Sequence, residues 1–182
     1  RVQALGAGVI VFGSGGARAL LADGIDARAI VIGEPTGLRV VAAHKGVARF
    51  DVRVQGRSAH ASRPELGVNA IAGAALIVDL IRRRLLPDLA TRSSGLLTAA
   101  TLNVATIHGG RQPNLIPDAC TVSLERRLLP GETADLARSE VEALFAEACA
   151  ALPGLEVSLG PTTLHAGAFH TDPSGPLARA AG

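Results

Sequence analysis

Hydrophobic and polar positions follow two different patterns along the chain. In the first, the run Gly6–Phe12 is continuously apolar, and Ala27–Gly33 is apolar except at Arg28; both contain several β-branched residues, which is typical of short strands buried on both faces. Between them, Gly16–Gly24 has a helix-forming composition and ends in glycine. Strand, helix and strand in this order predict an α/β unit of the parallel type.

The second pattern begins at Leu38 and is typical of strands with one buried face. Strands are predicted over Leu38–Gly46, Val47–Gly56, Thr98–Gly110, Asp118–Leu128 and Leu155–Gly160. The first two runs could be one bent strand or a hairpin. The predicted inward positions are Phe50, Val52, Val54, Ala100, Leu102, Val104, Cys120, Val122 and Leu124.

Two helices are predicted among these strands. The first covers Leu66–Leu86 and is followed by a loop over Pro87–Gly95; the second lies within Pro130–Leu152 and is capped by Thr133. The apolar stripes are predicted to be Val68, Ile71, Ala75, Val78 and Leu85 in the first helix, and Leu136, Val141, Leu144, Phe145, Ala148 and Leu152 in the second.

These elements predict an α+β fold. We expect a two-layer sandwich, in which an antiparallel sheet of about four strands carries two helices on one face, flanked by a fragment of an α/β domain. The expected division is residues 1–36 for the α/β fragment, 37–160 for the sandwich, and 161–182 for a linker and the first turn of another helix.

Composition excludes several function classes. The chain has 182 residues, is 48% hydrophobic, has a net charge of +2 and only 2% aromatic residues, which argues for a packed core and against nucleic-acid binding. Its longest apolar run, Ala70–Val78, is far shorter than the roughly 20 residues of a membrane span. Cys120 and Cys149 lack metal-ligand spacing, so we expect free thiols in a reducing, cytoplasmic compartment. Because the chain begins with Arg1 and contains no methionine, we expect a piece of a longer protein.

The glycine cluster after the first strand suggests a nucleotide-binding turn. Gly13 and Gly15 fit the first two positions of a dinucleotide fingerprint, but Arg18 occupies the third. An ordinary strand-to-helix turn is therefore the preferred interpretation, and a nucleotide-binding α/β protein is kept as an alternative.

Four stretches together resemble the M20 metallopeptidase/deacylase family, which includes acetylornithine deacetylase, succinyl-diaminopimelate desuccinylase, aminoacylase and glutamate carboxypeptidase. They are VIGEPTG (Val31–Gly37), AHKG (Ala43–Gly46), Val54–Ile71 and His108–Thr133. The first two look most like the acetylornithine deacetylase branch. The resemblance implies a two-zinc catalytic α/β domain with an inserted α+β lid. It also implies that the lid forms a homodimer, sheet edge to sheet edge and helix beside helix.

Four residues match functional positions of the family. The resemblance implies that Glu34 is a zinc ligand and that His60 reaches the partner subunit's active site to polarise the scissile carbonyl. It implies substrate contacts for Asn114 and for Arg127, the latter at a carboxylate. Each residue also has a simpler interpretation. Glu34 could be a solvated residue at a strand end, and His60 a loop histidine that bonds to the backbone. Asn114 could be an ordinary turn residue, and Arg127 could form a surface ion pair with Glu125.

Most of the family's catalytic groups have no match in this chain. An H-x-D and a late histidine would lie outside it, and the Asp-Glu-Glu of the family aligns without gaps to Val9, Ile10 and Val11. Two hypotheses follow. The chain is the lid of a zinc-dependent amidohydrolase acting on N-acyl amino acids or small peptides, or it is a non-catalytic binding or regulatory module derived from that family.

With Glu34 as the single matching ligand, we expect the chain to bind zinc weakly or not at all and to leave amides intact, because such sites need several His, Asp and Glu ligands. Calorimetric titration with zinc is the measurement, and Glu34→Ala is the control for any weak binding. Stoichiometric binding at micromolar or tighter affinity that disappears in this variant would contradict the expectation.

Overall fold

A computed structural model describes residues 3–5, 8–10, 22, 24, 29–31 and 35–181. The chain divides into two units, one made of Arg1–Ala42 with Thr171–Gly182 and the other of Ala43–His170. The sequence predicted the first boundary after residue 36, six residues before the observed one. It predicted the second boundary after residue 160, ten residues before the observed one.

The first unit contains a three-stranded sheet of β1 (Gln3–Leu5), β2 (Gly8–Ile10) and β3 (Ala29–Val31). Strands β2 and β3 pair in parallel, as the two buried runs predicted, and β1 pairs with β2 in the antiparallel direction. The helix predicted for Gly16–Gly24 lies outside the described residues except at positions 22 and 24.

The second unit is built on an antiparallel sheet. Its central strands pair in the order β10-β5-β9-β7, and two short ribbons, β4 with β11 and β6 with β8, flank them. The strands of this unit are, in chain order, β4 (Ala43–His44), β5 (Gly46–Gln55), β6 (Ala59–His60), β7 (Thr101–Gly109), β8 (Leu115–Ile116), β9 (Ala119–Leu128), β10 (Glu156–Ala166) and β11 (Phe169–His170).

Two strand predictions need correction. The segment before Ala43 is not a strand, so the first predicted run shortens to β4. Lys45 alone separates β4 from β5, and the two pair in turn with β11 and β10, which excludes the hairpin and fits one bent strand. Strand β10 does not end at Gly160 but continues to Ala166, because its later half still pairs with the first residues of β5.

Within residues 35–181, the α-helices lie in three stretches of the chain. Two cover one face of the four-stranded sheet and complete the predicted α+β sandwich, and the third belongs to the first unit. In chain order they are α1 (Ala70–Leu80), which continues through a π-helical turn (Ile81–Leu85) into α2 (Leu86–Thr91), then α3 (Ala134–Glu142), α4 (Phe145–Ala151) and α5 (Pro176–Ala181).

The core fills the space between these helices and the sheet. Every predicted inward position on the sheet is buried, except Val104, which is partly buried. On the helices, the largest fully buried side chains are Ile77, Leu80, Ile81, Leu89 and Val141.

The predicted apolar stripe of the first helix is wrong at two positions, whereas Val68 and Leu85 are buried and Val78 is partly buried, as predicted. Ile71 and Ala75 are exposed, whereas Ala74 and Ile77 are buried. This segment is apolar on nearly every side, so its sequence does not mark the inner face. The helix also begins later than predicted, at Ala70, where Asn69 Oδ1 accepts hydrogen bonds from two backbone N–H groups of the first turn.

The helix also continues through Pro87, where a loop was predicted. Proline lacks the N–H that an α-helix needs and clashes with the preceding turn. Here the preceding turn is widened, with the Leu86 N–H donating to the Ile81 carbonyl five residues back. Burial of Leu89 stabilises the continuation.

The second helical region is capped by Thr133, as predicted, with Thr133 Oγ1 accepting from the Leu136 N–H at 3.1 Å. It consists of two helices, not one, because the Leu144 N–H bonds the Val141 carbonyl three residues back and tightens the chain between them. Leu136 is exposed rather than inward.

Arg126 is a fully buried charge in this core. Its Nη2 lies 2.9 Å from Glu132 Oε1 and 3.7 Å from Glu140 Oε2, and its Nη1 donates to the Arg127 carbonyl. A buried charge requires such partners, since desolvation is costly without them. The cluster therefore ties β9 to the loop before α3 and to α3 itself.

Arg92 closes the cluster from the end of α2. It pairs with Glu132, Glu140 and Asp88, and the hydrogen bond that it donates to Glu140 raises the pKa of Arg92 above its ordinary value. Burial alone would raise the pKa of Glu132, but the Leu129 N–H and the two guanidinium groups together lower it. Glu132 is therefore held in its charged form between two arginines.

Substitution Glu132→Gln should destabilise the fold, because it leaves the buried Arg126 without its nearest carboxylate. We expect the free energy of unfolding at pH 7 to fall by about 3 kcal/mol, the usual cost of breaking a buried ion pair. Urea denaturation measures it, and Glu156→Gln on the exposed face of β10 is the control, with a change of about 0.5 kcal/mol or less.

The same variant should alter the pH dependence of stability. A carboxyl whose folded pKa is lowered stabilises the fold above its ordinary pKa of about 4.3, and this contribution is lost as the pH falls toward the lowered value. Below about pH 5 the wild type should therefore lose stability more steeply than the Glu132→Gln variant. Parallel curves for the two proteins would contradict this assignment.

Candidate functional site

His60 lies in the segment that joins β5 to α1. Gly56 opens this segment, and a Cβ at that position would lie 2.1 Å from the Val68 carbonyl oxygen. The Arg57 N–H donates to that same carbonyl at 2.9 Å, and the Val68 N–H donates back to Arg57. The segment is thus closed into a loop at its base, with His60 near its far end.

The short ribbon of β6 and β8 brings His60 and Asn114 together. His60 is opposite Leu115 in the register, and the Ala61 N–H donates to the Asn114 carbonyl at 2.9 Å. Both His60 and Asn114 are exposed. Two of the predicted site residues therefore share one exposed surface, which we call the His60 ribbon (residues 59–61 with 114–116).

The imidazole of His60 is held by Ser62. The Ser62 backbone N–H donates to His60 Nδ1 at 3.2 Å, and Ser62 Oγ lies 2.7 Å from the same nitrogen. The other ring nitrogen, Nε2, has no hydrogen-bond partner within the described residues. It is the atom of the ring that remains available to a ligand.

Arg127 lies at the opposite end of the sheet. Its Nη2 is 2.7 Å from Glu125 Oε1, and Arg49 Nε is 2.5 Å from Glu125 Oε2. The hydrogen bond from Arg49, together with the charge of Arg127, lowers the pKa of Glu125. The structure thus shows the surface ion pair that the sequence left open, while 47% of the Arg127 side chain remains exposed.

The two clusters are far apart within one chain. Because β9 runs from Ala119 to Leu128, its two ends are about 30 Å apart at about 3.3 Å per residue. The His60 ribbon precedes the first end and Arg127 is near the second. A substrate of a few residues therefore cannot contact His60 and Arg127 of the same chain.

Each cluster is next to a cavity that is open to solvent. One of about 370 Å³ lies beside the His60 ribbon and is lined by Ser58, His108, Arg111 and Asp118 among others. The other, of about 390 Å³, lies on the sheet face opposite the helices and is lined by Arg49, Asn103, Ser123, Glu125 and Thr163 among others.

The remaining predicted site residues lie outside the described part of the chain. They are Glu34 and the glycine cluster at positions 13, 15 and 16. Within the described residues, no three His, Cys, Asp or Glu side chains come close enough to hold a metal ion. These residues do not by themselves fit a zinc site, and weak or absent zinc binding by this chain stays a prediction.

Sequence reasoning missed two residues that the geometry makes important. Arg126 shares the inward phase of Cys120, Val122 and Leu124, so the alternation along β9 already indicated its burial. Ser62 gave no signal beyond its position two residues after His60.

Strand β7 forms an open edge of the sheet with exposed apolar side chains beside it. Ile107 is opposite the core residue Val122, so it points to the helix side, yet it is 47% exposed. Ile71 of α1 is 37% exposed, and a Cβ at Gly110 would lie 3.3 Å from its Cδ1. We call Ile71, Ile107 and the free edge of β7 the edge patch.

The other edge strand, β10, is less suited to pairing. It contains Pro161 and two register shifts, which interrupt a row of backbone donors and acceptors.

No helix in the described part of the chain combines the length and apolar character that a membrane crossing requires. Both cysteines are free, and burial raises the pKa of the Cys120 thiol.

Comparison with known proteins gives relatives named carboxypeptidase and acetylornithine deacetylase. A probable carboxypeptidase from Ajellomyces capsulatus is 34% identical over 125 residues, which are 66% of this chain and 28% of that protein. The acetylornithine deacetylase of Vibrio cholerae is 40% identical over 108 residues, 58% of this chain and 28% of that protein. The chain spans about a quarter to just over a third of the length of the curated relatives it matches.

Solved structures share the fold. Aminopeptidase PepT from Bacillus cereus matches 90% of this chain and 42% of its own, with a TM-score of 0.67 and 22% identity. A tripeptidase from Staphylococcus aureus matches 91% of this chain and 42% of its own, with a TM-score of 0.69 and 21% identity. Residues 42–152 match the family model of the M20 peptidase dimerisation domain. The chain therefore belongs to the M20 peptidase dimerisation-domain family, as its ordered motifs predicted.

Proposed function

We propose that this chain is the lid and dimerisation part of a zinc-dependent amidohydrolase whose intact form acts on N-acyl amino acids or small peptides. The observation that carries the proposal is the family match over residues 42–152. The relatives named carboxypeptidase and acetylornithine deacetylase support hydrolysis of an amide bond next to a carboxylate. The motif pairing GEPT and AHKG favours an acetylornithine deacetylase-like substrate.

In this proposal the lid forms a homodimer through the edge patch. An open strand edge exposes unpaired backbone groups, and pairing with a second copy satisfies them. Ile71 and Ile107 would lose water on the same contact, which favours association by the hydrophobic effect. Strand β10 lacks these advantages because of Pro161 and its register shifts.

Dimerisation also accounts for the separation of the predicted substrate residues. His60 and Arg127 of one chain are too far apart to contact one small substrate, so a site that uses both needs two copies. In that arrangement, His60 of one protomer offers an N–H to the carbonyl oxygen that gains negative charge. Arg127 of the other protomer, with its planar fork of donors, binds the substrate carboxylate.

The second candidate function is a non-catalytic binding or regulatory module. Val9, Ile10 and Val11 favour it, since they stand where the family carries Asp-Glu-Glu. Such a module would still form the dimer and bind a carboxylate through Arg127, but it would not hydrolyse an amide. On either proposal, this chain alone does not hydrolyse amides.

The homodimer can be tested with one substitution on each sheet edge. We expect the wild-type chain to sediment as a dimer at high micromolar concentration. Ile107→Lys should shift it to monomer, because a charge at the centre of the edge patch would be buried without a partner.

Leu164→Lys is the matched control, since Leu164 is a similarly exposed apolar residue, at 40%, on the opposite edge strand β10. This variant should remain a dimer. A monomeric wild type at high micromolar concentration, or dissociation by Leu164→Lys and not by Ile107→Lys, would count against the edge patch.

A further inference from the structure

The contacts between Ser62 and His60 assign the position of the imidazole proton. The Ser62 backbone N–H points at His60 Nδ1 from 3.2 Å. A backbone N–H donates and cannot accept, so Nδ1 must present its lone pair. In the neutral ring the proton is then on Nε2. This tautomer is assigned from the hydrogen-bond network, through a donor whose direction the backbone fixes.

The opposite tautomer would bring two N–H groups face to face. The Ser62 amide cannot turn away from the ring, because the Arg63 N–H donates to the His60 carbonyl at 2.9 Å and closes the turn that contains Ser62. The Ser62 hydroxyl can rotate. Since Nδ1 is an acceptor, the hydroxyl at 2.7 Å donates to it as a second, shorter hydrogen bond.

The backbone on both sides of the ring is held as well. His60 pairs with Leu115, and the next residue, Ala61, donates to the Asn114 carbonyl. The backbone that carries the imidazole is therefore fixed, and so is its acceptor nitrogen, Nδ1. One donor of the ring remains, the Nε2–H. A single, oriented donor suits an oxygen that gains negative charge during reaction, because no reorganisation is needed when the charge develops.

We propose that Ser62 is a positioning residue for His60: it keeps Nδ1 as an acceptor and thereby leaves Nε2–H as the donor toward a substrate amide carbonyl. The part that concerns substrate rests on the proposed function. The tautomer and its dependence on Ser62 rest on the geometry alone. The two parts can therefore fail separately.

Nitrogen NMR of the full chain labelled with ¹⁵N-histidine tests the geometry. The signals of His60 are assigned by their loss in a His60→Gln variant. With the ring neutral, Nδ1 should have the chemical shift of an unprotonated nitrogen and Nε2 that of a protonated one. Ser62→Ala, which removes the hydroxyl and keeps the amide, should move the tautomer ratio about 2- to 10-fold toward Nδ1–H, the range expected for one neutral hydrogen bond.

Two further variants separate positioning from a general effect on the fold. Ser62→Thr restores a hydroxyl and should restore the wild-type ratio, whereas Ser58→Ala, at an exposed serine on the other side of His60, should leave it unchanged. A protonated Nδ1 in the wild type, or an unchanged ratio in a folded Ser62→Ala variant, would overturn the proposal. Because this measurement needs neither a dimer nor activity, a monomeric chain would defeat the proposed function and leave this result standing.

Discussion

Burial of the Arg126 charge is the constraint on which the second unit depends. A guanidinium without solvent is stable only when carboxylates and carbonyls surround it. Glu132 comes from the loop before α3, Glu140 from α3, and Arg92 joins them from the end of α2. The charge thus holds both helical stretches on the same face of β9.

That arrangement leaves one side of the sandwich open. With the helices fixed over the middle of the sheet, β7 keeps a free edge, and Ile107 on its helix side remains partly uncovered. The His60 ribbon lies beyond one end of the four-stranded sheet, and Arg127 lies near the other end. The match to a dimerisation domain suggests self-association. On the proposed function, contact with a second copy would bring His60 of one protomer and Arg127 of the other to one site.

Much of the sandwich could be predicted because strand alternation is a local signal. The inward positions of β5, β7 and β9 are correct, since polar or charged residues between them mark the outer face. The phase of α1 could not be predicted in this way, because Ile71, Ala75 and Ile77 are all apolar and only tertiary packing decides which are buried. The extension through Pro87 depends on a π-helical turn, and the approach of His60 to Asn114 depends on a two-residue ribbon. Neither feature has a periodic signature in the sequence.

Amide hydrogen exchange along the two edge strands tests the proposed edge-to-edge homodimer most directly. If two copies pair through β7, the amides of Thr101–Gly109 that face away from β9 should be protected, and their protection should rise with protein concentration. The outward amides of β10 should exchange at the same rate at every concentration. Unprotected β7 amides in a chain that sediments as a dimer, or concentration-dependent protection of β10 instead, would contradict the account.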